Sequence, residues 1–129
     1  VVSTTGAGSI SITGTSSGSG EGIDIEDNTN NQILAGSGGL TLNGTAPSGL
    51  GLQLAGSSNT WLLLDAVNGP VSITATSQTD DALDLRNARL GTGSVTNLTI
   101  NATGGSVTAS GCNVCCWCGT TSGWPSAGS

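Results

Sequence analysis

One hexad recurs four times along the chain. It reads Ile10-Ser11-Ile12-Thr13-Gly14-Thr15, then Leu40-Thr41-Leu42-Asn43-Gly44-Thr45, then Val71-Ser72-Ile73-Thr74-Ala75-Thr76, and last Leu98-Thr99-Ile100-Asn101-Ala102-Thr103. The copies begin at positions 10, 40, 71 and 98, offsets of 30, 31 and 27 residues. Aliphatic and polar residues alternate within each copy, which is the period of a strand with one face in and one face out. A second alternating run follows at Gly22-Ile23-Asp24-Ile25, Gly51-Leu52-Gln53-Leu54 and Ala82-Leu83-Asp84-Leu85, with a shorter one at Val107-Thr108-Ala109. A looser third element stands at Ile33-Leu34, at Leu62 to Leu64 and around Leu90 to Val95, and Val1-Val2 reads as another strand. Gly, Asn and Ser clusters between the runs punctuate them as turns.

Short strands and turns at a fixed period of about 30 residues describe the coils of a β-solenoid. A single coil cannot bury its inner face. Stacking coils at about 4.8 Å gives every strand a backbone partner and makes one thin core. The expectation is therefore an all-β fold: one β-solenoid of about four coils over residues 1–111, followed by an irregular Cys/Trp-rich tail over 112–129. The alternative is a β-sandwich of eight short strands. Gly14, Gly44, Ala75 and Ala102 fall at one inward corner, where a small residue lets the chain bend.

Composition agrees with a thin core. Gly, Ser, Thr and Asn supply 68 of the 129 residues, and Phe, Tyr and Met are absent. It also removes several chemistries. Without His there is no Ser-His-Asp or Cys-His machinery, no imidazole ligand and no c-type haem signature. Without Lys there is no Schiff base and no phosphate-loop lysine. A net charge of −6, with Arg86 and Arg89 the only cationic side chains, argues against a nucleic-acid partner. The longest apolar run, Trp61-Leu62-Leu63-Leu64, is too short for membrane insertion. A start at Val1 without an initiator Met is expected of a processed product or a fragment.

The hexads, their Gly/Ser-rich turns and the Gly22-Ile23-Asp24-Ile25 type of second strand resemble the β-helical repeat regions of filamentous-haemagglutinin-type secreted bacterial adhesins, over about residues 5–111. The likeness is one of pattern. It implies an extracellular or cell-surface location and a structural role in attachment, filament or matrix formation, toward a surface or glycan target it does not name. It implies no catalytic residue. The secretion signals of those proteins and a tail like this one are not part of the shared pattern.

Cys112, Cys115, Cys116 and Cys118 lie within seven residues. In an extracellular chain they are disulfide candidates, within or between subunits. The alternative is a thiolate metal site on the same four residues. Glu21, Asp24, Glu26 and Asp27 flank the second strand of coil one, and Asp80, Asp81 and Asp84 take matching places in coil three. Solvated turns are the ordinary reading, with a Ca2+ site as the alternative. Thr79-Asp80-Asp81 bears a faint likeness to the aspartate pair of β-helical pectinases, but the basic groups and His of those enzymes are missing, so no enzyme activity and no cofactor are expected. Asn43, Asn97 and Asn101 open N-glycosylation triplets.

Three outward rows, the last of them Thr15, Thr45, Thr76 and Thr103, form hydroxyl ladders. These suit any exposed strand face and, as a rival reading, an ice-binding surface. Open solenoid ends invite head-to-tail addition of further copies. The leading expectation is thus a self-associating filament or adhesin subunit, with Trp117 and Trp124 of the tail at an intersubunit contact. A binding module for calcium, glycan or ice is the alternative.

Overall fold

The alternating runs fold as the period predicts. A computed structural model of the chain describes residues 1–26, 31–57, 61–91, 94–110 and 113–114, the last five of these by backbone alone. Every regular element among them is a strand. They are β1 (Val2–Ser3), β2 (Ser9–Thr15), β3 (Ile23–Glu26), β4 (Gln32–Ala35), β5 (Gly39–Ala46), β6 (Leu52–Ala55), β7 (Leu62–Ala66), β8 (Pro70–Ser77), β9 (Leu83–Arg86), β10 (Ala88–Leu90), β11 (Asn97–Thr103), β12 (Val107–Ser110) and β13 (Asn113–Val114).

Each strand pairs in parallel with its counterpart one coil away. The hexads form a sheet ordered β2-β5-β8-β11, here the hexad sheet. The second strands form the sheet β3-β6-β9-β12, and the third elements form β1-β4-β7-β10-β13. The fold is a β-solenoid. Its register is the sequence repeat itself: Ile10 pairs with Leu40, Leu40 with Val71 and Val71 with Leu98.

Inward positions stack into aliphatic columns. Ile12, Leu42, Ile73 and Ile100 make one, and Ile23, Leu52, Leu83 and Val107 another. Most of these side chains are fully buried and belong to one continuous core. Burying one Leu or Ile contributes about 1.5–3 kcal/mol. The small rung at the corner is a steric requirement in the early coils. A Cβ on Gly14 would overlap the Gly22 carbonyl oxygen, and one on Gly44 would overlap that of Gly51. In coil three both members of the pair are alanine, Ala75 and Ala82, and both fit fully buried.

The short third step has a local cause. β9 and β10 are separated only by Asn87, which turns the chain at φ 46°. Asn tolerates this left-handed region better than other residues with a Cβ. Its carbonyl accepts from Leu62 N at 3.2 Å, and its Nδ2 donates to Gly56 O at 3.4 Å, so the corner is tied to the coil before it. The same tight corner corrects one expectation. The third element of coil three is Ala88–Leu90, earlier than Leu90 to Val95, because the turn takes a single residue. The expected Val1-Val2 strand appears as β1, paired with β4. One strand of the solenoid, β13, lies inside the 112–129 segment expected to be irregular, paired with β10.

The two ends differ. At the first coil Ile12 and Ile25 are only partly buried, and Val1 and Val2 are 80% and 53% exposed. In the last coil Leu98 and Ile100 are fully buried. No helix among the described residues is long and apolar enough to cross a membrane.

Candidate functional site

Three outer faces and one end carry the exposed chemistry. Strand parity places every second hexad residue outward, and the register aligns them. Ser11, Thr41, Ser72 and Thr99 form one row, Thr13, Asn43, Thr74 and Asn101 a second, and Thr15, Thr45, Thr76 and Thr103 a third. All are exposed or half-buried. Among the described residues the one side-chain hydrogen bond on this face runs from Asn97 Nδ2 to Thr99 Oγ1 at 3.4 Å. The hydroxyl and amide groups are otherwise left to solvent. The three glycosylation candidates, Asn43, Asn97 and Asn101, lie exposed on this same face.

The second sheet carries a polar ladder instead. Asp24, Gln53 and Asp84 align in one row, and Glu26, Ala55 and Arg86 in the next. The small Ala55 leaves a gap that longer side chains close. Glu26 Oε1 lies 4.0 Å from Arg86 Nη2, and it also accepts from Nε2 of the buried Gln53. Arg86 Nε reaches Asp84 Oδ2 at 3.0 Å. Burial pushes the Asp84 carboxyl above the usual carboxylate range, with Asp81 and Glu26 adding to it and Arg86 opposing. Its Oδ1 is buried without a hydrogen-bond partner. Asp24 is also pushed up, by burial first and then by Glu26 and Glu21. The ladder therefore ties three coils together but keeps two carboxylates in surroundings that disfavour their charge.

Asp80 and Asp81 serve turns. Asp80 Oδ1 accepts from Asp81 N at 2.8 Å, and Asp81 Oδ1 accepts from Ser106 N at 3.2 Å, one coil on. Ser77 is buried in the same corner. It donates from Oγ to Gly49 O at 2.8 Å and accepts from Asp80 N at 3.0 Å. The Gln53 rung separates Asp24 of coil one from Asp84 of coil three, and Glu26 reaches across, sharing Arg86 with Asp84. No group of three metal-type ligands converges among the described residues. On the third sheet Arg89 stacks over the Trp61 ring, 5.2 Å from its centre, a cation–π contact that holds an exposed indole.

Asp27, Cys112, Cys115, Cys116, Cys118, Trp117 and Trp124 lie outside the described residues. Two pairings escaped the reading of the sequence. Glu26–Arg86 and Arg89–Trp61 each join residues from different coils, and only alignment of the repeats column by column brings them together. Comparison with protein-family models, with curated proteins and with solved structures finds no match to this chain.

Proposed function

We propose that the chain is a structural segment of an extracellular filament or surface adhesin that associates with itself head to tail through the solenoid ends. The open first coil carries this reading. β2 and β3 are edge strands, each paired on one side only, and Ile12 and Ile25 beneath them are incompletely covered. Unpaired edges over exposed apolar side chains are a template for further strands. Charge favours head-to-tail over head-to-head contact. Glu21, Asp24 and Glu26 crowd the first coil, whereas no Asp, Glu, Lys, Arg or His follows Arg89. Apposing two first coils would stack like charges; apposing first and last coils sets the Asp24 and Glu26 positions against the uncharged Thr108 and Ser110 positions. The pattern likeness to secreted adhesins is what supports the extracellular location. The acidic balance disfavours nucleic acid as a partner.

Sedimentation and electron microscopy over a concentration series test this. The expected result is elongated species larger than the 12.4 kDa monomer, reduced by Ile25→Lys at the open end. A monomer persisting at millimolar concentration overturns it. For the tail, disulfides at Cys112, Cys115, Cys116 and Cys118 are the proposed state, and a thiolate-bound metal is the alternative. Intact mass with and without reductant, beside metal analysis, separates the two.

A further inference from the structure

The ionisable side chains are distributed unevenly around the solenoid. None of the eight acids and neither arginine falls in β2, β5, β8 or β11. The described ones occupy the other two sheets and the turns. The hexad face is thus neutral on a chain of net charge −6. It is also regular. Seven-residue registers run without a bulge from β2 to β5, β5 to β8 and β8 to β11. The outward groups therefore repeat at about 4.8 Å across the strands and about 6.6 Å along them. Eight of the twelve positions in the three rows are threonine, whose branched side chain is restricted at χ1 and so limits the placements of its hydroxyl and methyl groups.

We propose that this face binds an uncharged hydrogen-bonding lattice, and specifically the ordered water of an ice surface. A charged mineral or polyelectrolyte finds no complementary charge on it. Among the described residues a sugar polymer finds no aromatic ring on this face to lie against, since Trp61 lies just before β7, away from the hexad strands. What the face offers is a set of neutral hydroxyls and two amides, unengaged by side-chain hydrogen bonds among the described residues apart from Asn97–Thr99, at fixed intervals beside methyl groups. Such a surface matches a periodic water layer with little ordering cost, because the strands already hold the groups in place. This inference is independent of self-association, since the hexad face is not an end of the solenoid.

The test uses the intact chain at millimolar concentration. Thermal hysteresis and inhibition of ice recrystallisation are measured for wild type, for Thr74→Tyr and Thr41→Lys on the face, and for Asp84→Asn on a different sheet. Wild type and Asp84→Asn are expected to shape ice and give a freezing gap. Both face variants are expected to lose at least tenfold of that activity while keeping the wild-type circular dichroism. Wild type behaving like buffer overturns the proposal. So does a folded Thr74→Tyr or Thr41→Lys with undiminished activity. Retention on insoluble neutral polysaccharide without any ice activity overturns it in favour of a glycan partner.

Discussion

Gly44 and Ala75 occupy the same rung of adjacent coils, yet only the alanine has room for its methyl group. The backbone at Gly44 approaches the Gly51 carbonyl too closely for a Cβ. Gly44→Ala is therefore expected to destabilise the solenoid by about 1–3 kcal/mol, the usual range for an overpacked core. Ala75→Gly should cost about 1–2 kcal/mol, from a lost buried methyl and a more flexible unfolded chain. Urea denaturation of both variants measures the pair. Equal or improved stability of Gly44→Ala would show that the corner relaxes.

The one-residue turn at Asn87 makes a second prediction. Gly adopts φ 46° without strain, whereas a β-branched residue does not. Asn87→Val is expected to lose at least about 1–2 kcal/mol. Asn87→Gly should lose less, with only the 3.4 Å bond to Gly56 removed. Thermal melts of the two variants side by side check the order.

The pH response follows from the polar ladder. Burial holds the folded-state pKa values of Asp24 and Asp84 above the ordinary aspartate range. Between the unfolded and folded pKa the native state holds more protons, so stability falls as pH rises through that window and is regained on acidification. The melting temperature is expected to hold or increase as pH drops from neutrality toward about 4, the ordinary aspartate range. Asp84→Asn should flatten this trend and leave stability at pH 7 unchanged or higher, because burial outweighs the Arg86 pairing. A marked fall in Tm over that window would contradict it.

Depth in the stack should be visible in core truncations. Ile73 is fully buried in the third coil, while Ile12 is partly buried at the open end. Ile73→Ala is expected to cost about 2–5 kcal/mol. Ile12→Ala should cost clearly less in dilute solution, and its penalty should grow with protein concentration if ends associate. Chemical denaturation at two concentrations reads both effects.

The hexads are fully legible in the sequence. Their alternation and near-constant spacing predict the pairing of Ile10 with Leu40 and of Leu40 with Val71, because in a parallel solenoid sequence offset and register are the same quantity. The small corner rung was legible for the same reason. The third element of coil three was misplaced because periodicity does not reveal that a single Asn can turn a corner. The Ser77 bonds to Gly49 and Asp80, and the Arg86 bridge to Glu26, depend on how far each side chain reaches across a turn or a smaller neighbour, which pattern alone does not encode.

Because strands pair only with their counterparts one coil away, nearly every structural dependence spans about 30 residues and none needs the whole chain. The cost of closing each new coil is then nearly constant, and folding can spread by zippering from any formed pair. Length becomes a modular property. Excising one repeat, so that Gly39 is followed by Val71, would bring Ile10 against Val71 and leave an inward column of Ile12, Ile73 and Ile100. A lineage of such chains can lengthen or shorten by whole turns without redesigning its interior.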